Sequence, residues 1–269
     1  MEDKKAKDMK RYIVFLKQVP LSTKVEMDPV TRTLKRSSAM TRTNPDDLYA
    51  LQLAVKLKRQ TGAEIVAVSM GPASAEEVLR EALQRGADKA VLLSSKAFAG
   101  SDTWCTSLVL AAAVRKLGEY DLLLFGKMAV DGDTAQIGPE LAGAFEIPCV
   151  TDVSCVQSAG FTTCGSLALV HGCDAGEETV CLEMPCAMTT AKEIGQLRMP
   201  SIAGIRAAEE ADVRVVSAAD VNADPARCGL AGSPTQVVRS FVPDRDQTCK
   251  AVEGTASEQA VELAKIIEG

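Results

Sequence analysis

The sequence has little of what most hydrolytic and metal-dependent sites are built from. It holds one histidine, and aromatic residues make up 4 % of its 269 positions. A Ser-His-Asp or Cys-His device would have to rest on His171 alone, which sits beside Gly172 in a strand or turn and reads as structural. No G-x-G-x-x-G follows the first apolar run, and G-x-x-x-x-G-K-[ST], G-x-S-x-G and H-E-x-x-H are all missing. The nine cysteines include no C-x-x-C pair, so the close-spaced thiolates of a zinc or iron–sulfur site are lacking. Scattered free thiols fit a reducing compartment. Positive charge is not in excess: the net charge is −6, which argues against nucleic acid as a partner. No apolar run is long enough to cross a bilayer, so no membrane partner is expected. The first eight residues are of mixed charge with no apolar stretch, unlike a secretory signal or an acid-poor transit peptide, and the expected location is cytoplasmic.

What is present is an aliphatic, alternating pattern. Hydrophobic residues reach 46 %, mostly Ala, Val, Leu and Ile, a mixture suited to buried parallel strands under Ala-rich helices. Tyr12-Ile13-Val14-Phe15-Leu16 reads as a first, central strand. Residues 24–35 read as a small hairpin. Asn44-Pro45-Asp46-Asp47 opens a helix, with Asn44 as N-cap, Pro45 in the first turn and both aspartates at the positive end of the dipole. Strands over 64–70, 89–93, 121–125 and 148–153 alternate with helices over 74–85, 102–117 and 134–145, the first two stopped by Gly86 and Gly118. This predicts βαβ units: an α/β fold with a mainly parallel sheet and helices on both faces. Short strands over 154–156, 166–170 and 178–183 extend it as an antiparallel meander. Residues 1–223 are expected to form this domain. Residues 224–269 are expected to form an extended arm and a last amphipathic helix over 257–267, capped by Ser257. That helix either packs back on its own domain or docks on another subunit, and docking is the preferred reading.

Ligands of parallel sheets lie beyond the carboxyl ends of the strands, at a switch in strand order. One stretch there stands out: Gly126-Lys127-Met128-Ala129-Val130-Asp131-Gly132-Asp133-Thr134-Ala135-Gln136-Ile137-Gly138-Pro139. It follows a buried strand and opens a helix. Its small residues admit a ligand close to the backbone. Asp133 or Thr134 can cap the helix and leave amides for a phosphate, and Lys127 can neutralise one. An ordinary strand-to-helix turn would look similar. Phe15, Met70, Asn44 and Asp47 reach the same edge of the sheet: the first two offer backbone groups to an adenine edge, the others polar atoms to ribose or amide positions. Together they outline a nucleotide pocket without the Rossmann fingerprint.

Val14-Phe15-Leu16-Lys17-Gln18-Val19-Pro20, Asn44-Pro45-Asp46-Asp47-Leu48-Tyr49-Ala50-Leu51, Val68-Ser69-Met70-Gly71-Pro72, the 126–139 stretch and Met184-Pro185-Cys186-Ala187-Met188-Thr189-Thr190 closely resemble the electron transfer flavoprotein β-subunit family. So does Arg198-Met199-Pro200-Ser201-Ile202-Ala203-Gly204-Ile205, a loop rich in apolar residues. The likeness spans nearly the whole chain. It implies an adenine-nucleotide-binding, HUP-like domain and an α subunit carrying a second FAD. Ligand contacts fall by that likeness on Phe15, Asn44, Pro45, Asp46, Asp47, Met70 and residues 126–137. Residues 198–205 become the loop that docks acyl-CoA dehydrogenases, with Ile202, where the family often has Leu, as apolar anchor; packing inside its own chain is the alternative.

Mitochondrial-type members bind AMP and carry bulkier acidic residues in the phosphate loop. Gly132 and Ala135 here, and the arm Gly229-Leu230-Ala231-Gly232-Ser233-Pro234-Thr235, look like the branch of anaerobic bacteria in which FAD occupies the AMP place, so FAD is expected over AMP. The resemblance then implies flavin-based bifurcation: electrons from NADH divided between a low-potential acceptor, ferredoxin or flavodoxin, and a dehydrogenase. The rival readings are a non-bifurcating β subunit with structural AMP and a stand-alone adenine-nucleotide-binding protein. A nucleotide-hydrolysing or ligase-type enzyme trails them, because Lys17-Gln18-Val19-Pro20 stands where its Ser-Gly-Gly phosphate loop would be.

Overall fold

A computed structural model describes residues 11–21, 40–161, 166–238 and 251–268; the expected hairpin over 24–35 lies outside them. The first strand, β1 (Arg11–Phe15), is central. A small ladder of β2 (Gln18–Pro20) and β3 (Thr41–Thr43) leads into α1 (Pro45–Thr61), which ends at Gly62 with φ 71°. Then follow β4 (Glu64–Met70), α2 (Glu76–Arg85), β5 (Lys89–Leu93), α3 (Thr103–Leu117), β6 (Leu122–Gly126) and α4 (Ile137–Phe145). Asp102 caps α3 by accepting the Cys105 amide, and Gly118, at φ 90°, ends it. Each of these strands is an apolar run because both its faces are covered. One core lies on the α1 and α2 side, around Leu51, Ile65 and Leu124, and the other under α3 and α4, around Ile13, Leu123 and Leu141.

The second half departs from expectation in several places. Residues 149–161 form one long strand, β7 (Cys149–Phe161), bulged near Asp152, whose φ is 57°. β8 (Ser166–Cys173) and β9 (Gly176–Glu183) add the antiparallel meander. β10 (Cys186–Thr190) inserts between β6 and β7, parallel to both. The expected loop over 198–205 is a loop only to Ser201, whose hydroxyl caps α5 (Ile202–Glu210) by accepting the Gly204 amide at 3.0 Å. Gly204 lets α5 lie against α2, since a side chain there would overlap the Gln84 carbonyl. β11 (Val213–Val216) then closes the far edge. The sheet order is β11-β5-β4-β1-β6-β10-β7-β8-β9, with β11 through β7 parallel.

By compactness the chain divides into Met1–Gln236 and Val237–Gly269. The first unit runs past the expected limit at residue 223. Residues 225–227 form a 3-10 turn, α6 (Gly229–Gly232) follows, and this stretch is hydrogen-bonded into the unit. In the second unit α7 (Ala256–Glu268) is capped at Thr255 instead of Ser257, because the Glu258 carboxylate turns back to the Thr255 amide at 2.8 Å. Val261, Leu263, Ile266 and Ile267 of α7 are exposed. No described helix is long and apolar enough to cross a membrane.

Candidate functional site

The chain leaves β1 to one side through α1 and returns on the other to β6, so the order of strands reverses between them. A cleft of about 1000 Å³ opens at this switch point, at the carboxyl ends of β1, β4, β5 and β6. Its floor holds Phe15 and Phe125, stacked with ring centroids 4.5 Å apart and planes 1° from parallel.

The first wall is the turn over residues 126–138. It is built on the α1 N-terminus. Asn44 is fully buried and makes no side-chain cap. Its Nδ2 donates to the Met128 carbonyl at 2.8 Å, and its Oδ1 accepts the Val130 amide at 3.1 Å. The Asp46 carboxylate accepts the Met128 amide at 3.4 Å, and the Asp47 carboxylate accepts the Lys17 amide at 2.8 Å. Gly126 lies so close to this helix end that a Cβ would stand 2.5 Å from the Asp46 carbonyl carbon. Asn44, Asp46 and Asp47 therefore brace the turn: of the two positions expected for Asn44 and Asp47, ribose or amide, their side chains take backbone amides, at Val130 and Lys17. Of this segment only Asp47 lines the cleft.

The turn is longer than expected. The helix starts at Ile137, with Gln136 as an N-cap whose side chain does not cap the helix amides, so neither Asp133 nor Thr134 caps it. The reason is backbone twist: Asp133 and Ala135 have φ 48° and 53°, values that L residues seldom adopt and that break a helix. Left-handed Ala135 followed by right-handed Gln136 is the geometry of a concave amide nest, a binding shape for anions. It stands at the N-terminus of α4, where first-turn amides lack intrahelical acceptors. A Cβ at Gly132 would meet nothing within 4 Å, so the turn leaves open space there.

Of the expected ligand contacts, Phe15, Asp47, Met70, Gly126, Lys127, Met128, Ala129, Gly132, Thr134, Ala135, Gln136 and Ile137 line the cleft. Asn44, Pro45, Asp46, Val130, Asp131 and Asp133 are not part of its lining. Lys127 is paired with Asp152 at 2.9 Å, and Lys17, which also lines the cleft, with Asp131 at 2.7 Å. Both pairs are exposed enough for solvent to weaken them, so an entering phosphate can compete for either ammonium.

A second wall was not foreseen residue by residue. Ser94, Ser95, Lys96 and Phe98, then residues 99–103 and Thr106, face the turn across the cleft. The Thr103 hydroxyl donates to Gln136 Oε1 at 3.1 Å and joins the walls. Its only sequence signals were Ser94-Ser95 directly after a strand and Gly100-Ser101-Asp102-Thr103 directly before a helix.

Asp46, Asp47 and Asp102 are shifted from the ordinary carboxylate range. Burial pushes Asp47 up to about 7 against the bonds from Asn44, Lys17 and Gly126 that favour its charge. Burial also raises Asp46. At Asp102 burial opposes the charge, but the Cys105 and Thr235 amides with the Thr235 and Ser233 side chains outweigh it, and its pKa is lowered.

Residues 31–221 match the family described as "Electron transfer flavoprotein domain". The chain is 43 % identical over 228 residues to "Electron transfer flavoprotein subunit beta" of Clostridium acetobutylicum, covering 85 % of this chain and 86 % of that one. This chain belongs to the electron transfer flavoprotein β-subunit family. It is 40 % identical over 247 residues to "Caffeyl-CoA reductase-Etf complex subunit CarD" of Acetobacterium woodii (91 % and 92 % covered). It is 37 % identical over 262 residues to "Acryloyl-CoA reductase electron transfer subunit gamma" of Anaerotignum propionicum (94 % and 96 %).

In this electron transfer flavoprotein β-subunit chain the 198–205 segment lies away from the cleft lining. Arg198 is held from both sides: its amide donates to Gln52 Oε1 at 3.2 Å, and its carbonyl accepts from Arg85 at 2.7 Å. Met199 and Ile202 are 85 % and 74 % exposed, which excludes internal packing of Ile202. His171 faces Glu178 on the neighbouring strand, with Nε2 3.6 Å from Oε2. Burial pushes the Cys149 and Cys186 thiols up to about 11 and about 12, so neither is a ready thiolate.

Proposed function

We propose that this chain is the β subunit of a heterodimeric electron transfer flavoprotein whose cleft holds FAD in preference to AMP. One observation carries this reading: the cleft is two-walled and, at about 1000 Å³, stands at the upper end of the range of roughly 300–1,000 Å³ for small-molecule sites. A mononucleotide would leave the second wall idle. The site suits such a ligand chemically: a nest and a helix N-terminus for phosphate, open space at Gly132, and an apolar floor at Phe15 and Phe125. When bound, the flavin supplies the electron chemistry. The chain's own residues place it: Asn44, Asp46 and Asp47 fix the phosphate turn, Lys17 and Lys127 balance charge, and the stacked rings keep water from the floor.

The partner is an α subunit with its own FAD, and the exposed apolar face of α7 is its docking element. The electron-accepting partner is an acyl-CoA-type dehydrogenase. Support comes from the caffeyl-CoA and acryloyl-CoA reductase named for two relatives and from the outward-facing Met199 and Ile202, which follow the anchored Arg198. The complex is of the bifurcating type, drawing on NADH and serving ferredoxin or flavodoxin as second acceptor. Anaerobic mixing of the co-purified heterodimer with NADH, ferredoxin and a CoA-thioester reductase tests it. Ferredoxin reduction that requires the thioester substrate is expected; its absence in an otherwise NADH-active mixture rejects bifurcation.

A further inference from the structure

The first wall is braced by α1. The second wall has a brace too, from a segment more than a hundred residues further along. The Ala99 carbonyl accepts the Leu230 amide at 3.0 Å, and the Ser101 hydroxyl accepts the Gly229 amide at 2.9 Å. Ser233 Oγ accepts the Asp102 amide at 2.9 Å. Its single proton goes to the Gly229 carbonyl at 2.8 Å, with the Gly100 carbonyl at 3.3 Å as the alternative. Asp102 divides its carboxylate between the Cys105 amide, starting α3, and the Thr235 amide, both at 2.9 Å.

The fit is close as well as polar. Gly229 has φ 64°, and a Cβ there would overlap the Ala97 carbonyl. Gly100 has φ 76°, and a Cβ would come 3.0 Å from that of Leu230. Ser233 is buried to 6 % exposure. Residues 228–235 do not line the cleft at all. Plain packing of a late segment on the core would spread its bonds over whatever surface lay beneath. Here they fall on one short loop, and that loop is the cleft's second wall.

We propose that residues 229–235 are a strap that sets the second wall of the nucleotide cleft, with Ser233 as its positioning residue. This rests on the nucleotide reading above. Apart from the strap, residues 96–98 are held by a 3-10 turn and Asp102 by the start of α3, through the Cys105 and Thr106 amides; among the described residues, the hydrogen bonds that tie residues 99–102 to another part of the chain come from the strap. By linkage, a nucleotide that prefers the fixed wall also steadies the strap, although the two never touch.

The test uses the full chain in its co-purified heterodimer, with Ser233→Ala and, as a milder lesion, Thr235→Pro, which removes one exposed amide donor. Amide hydrogen exchange is followed over residues 97–102 and 229–235, with and without added FAD. FAD is expected to slow exchange at Leu230 and Thr235. Ser233→Ala is expected to speed exchange at Asp102 and to weaken FAD about tenfold, the effect of one buried hydrogen bond; Thr235→Pro does the same to a lesser degree. Unchanged exchange over 229–235 on adding FAD, together with wild-type affinity in both variants, overturns the strap. Should the wild-type cleft take up no nucleotide, the nucleotide reading fails. The strap is then judged by the wall alone: Asp102 exchange equal in Ser233→Ala and wild type overturns it, faster exchange upholds it.

Discussion

The two walls of the cleft are held in opposite ways. The turn over 126–138 is braced by residues at the start of α1, which the sequence displays as a compact Asn-Pro-Asp-Asp motif. The loop over 94–103 is braced by a stretch about 130 positions away, with no periodicity of its own. The first wall carries unusual backbone and buried carboxylates; the second carries small hydroxyl residues and a single acid at a helix cap. A local brace ties phosphate geometry to the core of the sheet, and a remote brace makes the other half of the site depend on the end of the unit.

The contrast can be broken hardest at Gly126. Gly126→Ala forces a methyl into the Asp46 and Asp47 backbone, and a loss of about 3 kcal/mol in chemical denaturation is expected from such overpacking. Gly132→Glu sharpens the contrast, because its Cβ meets nothing. Stability should hold within about 0.5 kcal/mol, while nucleotide affinity falls about a hundredfold from like-charge repulsion of phosphate. Equal affinities would remove the first wall from the site. Asn44→Ala leaves the Met128 carbonyl and the Val130 amide without their partner, and should cost about 2 kcal/mol and loosen residues 128–130 in hydrogen exchange.

A smaller effect is electrostatic and belongs to the first wall only. The pKa of Asp47 is raised from 3.8 to about 7, and that of Asp46 is raised too. Between those values the folded chain keeps a proton that the unfolded chain gives up. Stability is therefore greatest below pH 3.8 as far as Asp47 is concerned, and declines as the pH climbs through about 7. Asp47→Asn should flatten that decline in denaturation midpoints taken between pH 5 and pH 8; an unchanged slope would remove Asp47 from the account. Ile202→Ala touches neither wall. It should leave nucleotide content and stability alone and slow electron delivery to the dehydrogenase several-fold; identical rates would discard the docking role.

How far the sequence revealed all this follows the same division. Apolar runs at Tyr12, Ile65, Ala90 and Leu122 announced the parallel strands because nothing but burial on both faces explains them. The turn at Gly126 was legible from its small residues and its place after a buried strand. The strand at Cys186 was hidden: five residues without charge or alternation, set between two others. The helix at Ile202 was hidden by Pro200 and by Gly204, which reads as a breaker until its contact with Gln84 is seen. Asn44 stands at the N-cap as read, but its side chain braces the turn instead of capping, since both roles use the same polar atoms. Ser233 was legible only as part of the 229–235 stretch that resembles the FAD-binding branch; its contacts were not, since its partners lie in another part of the chain and follow no repeat.

The most direct measurement is to release and weigh the nucleotides of the co-purified heterodimer. Two FAD per heterodimer and no AMP is the result predicted for a cleft that uses both walls. One FAD with one AMP would contradict it, because the second wall would then have no ligand to hold.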